Sequence, residues 1–154
     1  MYDIIHSNLT RQFKGLELLY SLLEEEFDLL CGRDTDAVTN MEFSIHELLR
    51  QIAVERLALK NAIQGATLMD YAGMIEEEQG LEVRRLYHLI DALEQRCSRQ
   101  ATQNTELSLA LLDQSQSLLV FLHGQITPRQ TNCYGARGQL RENHPRAAIY
   151  SGRF

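Results

Sequence analysis

The first thirty residues carry a heptad ladder: Tyr2, Leu9, Leu16, Leu23 and Leu30 fall seven apart. Ile5, Leu19 and the aromatic row Phe13, Tyr20 and Phe27 thicken the same face. Arg11, Gln12, Lys14, Glu17, Glu24, Glu25 and Asp28 lie between them. A period near 3.5 keeps a narrow apolar seam facing a partner helix along its length. Such a helix cannot bury its seam alone, so this chain or another protein must supply neighbours.

The spacing predicts a first helix from Tyr2 or Asp3 to Leu30, with Gly32 taking the left-handed turn that ends it. Asp34, Thr35 or Asp36 then caps a second helix by accepting an amide hydrogen bond. That helix runs from about Ala37 into the sixties on Val38, Ile45, Ile52 and Leu59, with Met41, Leu48, Leu49 and Ile63 beside them. Gly65, Gly73 and Gly80 each cost a helix about 1 kcal/mol relative to alanine. A broken helix end and a turn near Glu76–Gly80 are expected there. The run Glu76-Glu77-Glu78 lies either in a loop or at the opening of the next helix, where it complements the dipole.

A third long helix is predicted over Leu81–His123, with Gly124 as its stop. Val83, Ile90, Cys97, Asn104, Leu111 and Leu118 share one heptad position; Leu86, Leu93, Leu107 and Phe121 share another. Asn104 at an apolar position is the kind of polar core residue that fixes register in coiled coils. Beyond Gln125 periodicity disappears, and Pro128, Pro145 and several glycines make a segment unable to offset its ordering entropy. The pattern therefore predicts an all-α protein: an elongated antiparallel helical bundle or coiled coil of three long helices with a disordered C-terminal tail. The expected division is a helical domain at 1–124 and a flexible basic tail at 125–154.

Charge sharpens that division. Residues 1–124 hold 10 Lys+Arg against 20 Asp+Glu, whereas 125–154 hold 5 Arg against the single Glu142. An acidic body argues against a nucleic-acid face. Cys31, Cys97 and Cys133 are odd in number, far apart and without a CxxC pair, which fits a reducing compartment. With no long apolar run and no basic leader, the expectation is a cytoplasmic protein without stable membrane insertion.

Catalytic motifs are sparse. A di-iron bundle needs Glu-x-x-His on two helices with further inward carboxylates. Here only Asp3 with His6 and Glu42 with His46 come near, and both read as surface pairs. No G-x-S-x-G, P-loop or dinucleotide fingerprint occurs. No enzyme activity, cofactor or metal is expected.

What remains is a surplus of apolar positions. Three long helices lacking a fourth leave a groove, and an amphipathic helix from a partner can lie in one. Leu107–Leu122 is the candidate wall. Periodicity alone equally allows these residues to form the internal core or a homodimer seam.

Several segments resemble the FlgN family of flagellar export chaperones. Leu18-Leu19 with Leu22-Leu23, Glu25, Leu29 and Asp36-Ala37-Val38 are similar to its N-terminal pattern. So is Leu48-Leu49 followed by Glu55-Arg56. Asn104 ahead of Leu107, Leu111 and Leu112 resembles the stretch in its last long helix, and Tyr134-Gly135-Ala136-Arg137-Gly138 the element that follows. The resemblance covers roughly residues 1–140. It departs at His46, where lysine is frequent, and at Arg137, where an acidic residue is common. It implies a cytoplasmic chaperone that holds the C-terminal amphipathic helices of hook–filament junction proteins, prevents their premature assembly and delivers them to the flagellar type III export gate. By that resemblance Asn104, Leu107, Leu111, Leu112, Leu118, Leu119 and Leu122 would hold the client, and Tyr134, Gly135 and Gly138 would dock the gate. A homodimer in the absence of client is compatible with it. The alternative is a coiled-coil scaffold or adaptor that assembles with copies of itself and has no secretion client.

Overall fold

A computed structural model of the chain describes residues 1–126. They form four helices, α1 (Tyr2–Gly32), α2 (Thr35–Ala62), α3 (Leu68–Met74) and α4 (Glu77–Ile126), and no strand occurs among them. The chain divides into two compact units, Met1–Ala110 and Leu111–Phe154.

In the first unit the α1 ladder does what its spacing demands. Leu9, Leu16, Leu23 and Leu30 are buried, with Ile5 and Leu19 beside them. The aromatic row Phe13, Tyr20 and Phe27 is half-buried at the edge of that seam. Burying one leucine side chain fully contributes roughly 1.5–3 kcal/mol, so the seam supplies much of the drive for the helices to associate. From α2 the stripe contributes Ile45 and Ile52, and from α4 it contributes Val83, Leu86, Ile90, Leu93 and Cys97.

Contacts between helices give their directions. Asn8 and Arg11 near the start of α1 reach Glu55 near the end of α2, and Gly15 lies against Ile52. The two helices therefore run antiparallel. Cys97 Sγ–H meets the Leu16 carbonyl and the Asn104 amide meets the Leu23 carbonyl, both pairs 81 residues apart. That constant offset makes α4 travel along α1 in the same sense. Arg56 of α2 pairs with Glu94 of α4, and the Arg96 guanidinium lies 4.2 Å over the Tyr20 ring.

The turns differ in detail from the sequence expectation. α1 continues through Gly32, and Arg33 takes the left-handed conformation at φ 57°. Its backbone N–H donates to Leu29 and Leu30 carbonyls, so the residue after the glycine closes the helix. Asp34 caps α2, its Oδ1 accepting from the Ala37 amide at 3.0 Å. After α2 the backbone turns through positive φ at Gln64 and Gly65. Thr67 and Asp70 form a reciprocal capping box that holds the short α3, which sequence periodicity missed.

α4 also exceeds its expected range. It opens at Glu77 rather than Leu81, with Glu77 and Glu78 in its first turn, and it runs through Gly124 to Ile126. Gly124 is therefore not a stop. Gly80 sits inside the first turns of α4 for a packing reason: a Cβ there would stand 2.3 Å from the Ala72 carbonyl oxygen of α3. The expected disorder of the tail beyond 126 lies outside the described residues.

Candidate functional site

Two features among the described residues can engage a partner. The first is the end of α4. The ladder that buries Val83, Ile90 and Cys97 reaches Leu118 in the sequence, but burial does not follow. Leu107 and Leu111 are half-buried, and Leu112 and Leu122 are exposed. Leu118 is 56% exposed, Leu119 66%, Val120 74% and Phe121 60%. Five consecutive apolar residues from Leu118 to Leu122 step around the helix at about 100° each, so no side of that turn is polar. Apolar surface this contiguous marks an interaction site or an aggregation liability.

The second feature is a cleft of about 440 Å³ within residues 1–110, walled by α1, α2 and α4. Its apolar lining includes Leu19 and Leu23 from α1 and Ile45 and Leu49 from α2. It stays open because α4 presents small side chains there, Ser98, Ala101, Thr105 and Ser108, between Cys97 and Leu109. The polar middle of this helix is what leaves room.

A polar cluster crosses the cleft. Asn104 is 4% exposed, and its Nδ2 donates to the Leu23 carbonyl at 2.8 Å and to Glu26 Oε2 at 2.6 Å. Gln100 donates to Asn104 Oδ1 at 3.0 Å. Glu26 is 7% exposed, and Glu42 of α2 lines the same cleft. Burial pushes the Glu26 carboxyl above the usual carboxylate range; the Asn104 hydrogen bond opposes this and Glu42 adds to it. Glu42 in turn pairs with the exposed His46 at 3.4 Å, the surface pair expected from their spacing.

Sequence reasoning placed Asn104 at a buried heptad position but missed Glu26. Its spacing could have exposed it. Leu19, Leu23, Glu26 and Leu30 follow one another at four, three and four residues, so Glu26 occupies a core rung. Asn8 and Gln12 were missed in the same way, and both are buried and bonded to each other at 2.6 Å. No described helix is long and apolar enough to cross a membrane, and no cluster of three metal-binding side chains occurs among the described residues. Tyr134, Gly135 and Gly138 lie outside the described residues.

The family model described as FlgN protein covers residues 1–142. No curated protein and no solved structure matches the chain.

Proposed function

The chain belongs to the FlgN family, whose members are flagellar export chaperones, and from that premise we propose that it is a cytoplasmic chaperone for the hook–filament junction proteins. It holds their C-terminal amphipathic helices, prevents premature assembly and delivers them to the type III export gate. The observation that carries this reading is the exposure of Leu118–Leu122 on a formed helix. A secreted subunit exposes an apolar stripe until it assembles, and a ready apolar helix can cover that stripe in the meantime.

The client surface comprises Leu107, Leu111, Leu112, Leu118, Leu119 and Leu122, with Asn104 at its inner edge. Gate docking is assigned to Tyr134 with Gly135 and Gly138, since a tyrosine in a glycine-flanked segment buries area and keeps a hydroxyl to bond. No nucleic acid, cofactor or membrane insertion enters the mechanism.

Calorimetric titration with a C-terminal peptide of a junction protein tests the reading. The expected result is a 1:1 complex that Leu119→Asp abolishes and Tyr134→Ala spares, while Tyr134→Ala impairs export. The same exposed face could close on a second copy, as in a scaffold. Sedimentation that finds a tight oligomer indifferent to the peptide would favour that alternative over a chaperone.

A further inference from the structure

We propose that the cleft of α1, α2 and α4 receives the apolar face of a partner helix carrying one lysine or arginine within that face, its cation seated between Glu26 and Glu42. The inference deepens the chaperone reading and rests on its premise that the protein binds amphipathic helices.

Shape points to a helix. The α1 residues lining the cleft run from Leu19 to Leu30 and those on α4 from Cys97 to Leu109, spans of eleven and twelve residues. That corresponds to about 16–18 Å, or three turns, so the groove lies along its walls. Leu49 and Leu109 on its rim remain 45% and 60% exposed. The small side chains of Ser98, Ala101 and Thr105 let another backbone approach closely.

Charge selects the occupant. Apart from the Cys97 thiol, Glu26 and Glu42 are the only ionisable groups among the lining residues. One comes from α1 and the other from α2, and burial with Glu42 nearby raises the cost of charging Glu26. Asn104 already supplies an amide donor to Glu26, so one further positive donor completes the cluster. An entering guanidinium or ammonium offsets the charge of the two carboxylates and forms charge-assisted hydrogen bonds in a partly dry site. A wholly apolar helix leaves the pair as it was, and an acidic one adds a third like charge.

The test uses fluorescein-labelled eighteen-residue helical peptides with leucines at i, i+3, i+4 and i+7. One carries arginine at a central position of the leucine face, and the others carry norleucine or glutamate there. Anisotropy titration against the full chain should give about tenfold tighter binding of the arginine peptide than of the norleucine peptide, and weakest binding of the glutamate peptide. Glu42→Gln, whose side chain is half-exposed and so leaves the fold intact, should remove the preference, as should Glu26→Gln. Equal binding of all three peptides, or a preference that survives both substitutions, overturns the proposal, as does failure of the arginine peptide to bind. A junction-protein peptide that fails to bind while the arginine preference holds would instead refute the client assignment and leave the cleft intact.

Discussion

Asn104 of α4 donates its side-chain amide to Glu26 of α1 at 2.6 Å, and the same nitrogen reaches the Leu23 carbonyl one turn earlier. This pair fixes the register of α4 along α1, because a one-residue slide would strand both polar groups inside the seam. Asn104→Ala should therefore destabilise the chain by about 1–3 kcal/mol, the cost of leaving a buried polar partner unmet. Urea unfolding followed by circular dichroism measures it. A loss below about 0.5 kcal/mol would show that the pair contributes nothing to register.

Glu26 gives a pH signature. Its carboxyl titrates above the usual range because burial opposes its charge, with Glu42 adding to the rise and Asn104 and His46 opposing it. The folded state therefore holds this proton more tightly than the unfolded chain, where a glutamate releases it near 4.3. Stability from this group is complete below about pH 4.3 and is lost as pH rises through the folded value. Glu55, held below the usual range by its hydrogen bond with Arg11, works in the opposite sense. Comparison with Glu26→Gln removes such background. The wild type should lose stability relative to this variant between pH 4 and neutrality, and parallel curves would refute the assignment.

Gly80 is a packing requirement. A methyl at this position meets the Ala72 carbonyl at 2.3 Å, and backbone cannot give way as a side-chain tip can. Gly80→Ala gains about 1 kcal/mol of helix propensity yet should lose about 1–3 kcal/mol through overpacking. The expected outcome is a lower Tm with faster amide exchange in α3. A raised Tm would mean that α3 adjusts without cost.

Leu118→Asp and Leu119→Asp should leave stability within about 0.5 kcal/mol of wild type, since both side chains are more than half exposed. Client binding should vanish. If either variant unfolds instead, these leucines are core and the proposed client surface is wrong.

The ladder from Leu9 to Leu30 was legible because a 3.5-residue period has few other uses. Side-chain chemistry offered Asp34, Thr35 and Asp36 as α2 caps, and the structure selects Asp34. The same ladder extended to Leu118, and there the sequence could not reveal that burial ends, since a heptad position is apolar whether or not a neighbour covers it. Glu26 was overlooked because a charged residue is ordinarily assigned to solvent, although its spacing put it on a core rung. α3 escaped notice because seven residues offer too little periodicity, and its capping box of Thr67 with Asp70 is a local signal easily passed over between glycines.

Composition and period by themselves determined that this protein is helical and where its long helices lie, because those properties depend on spacing within one segment. Tertiary packing decided the rest. It set α4 in register with α1 through Asn104, drew Glu26 and Glu42 together from different helices, and left a cleft where small side chains face large ones. Each of these depends on which residues from distant segments meet, and no local pattern encodes that.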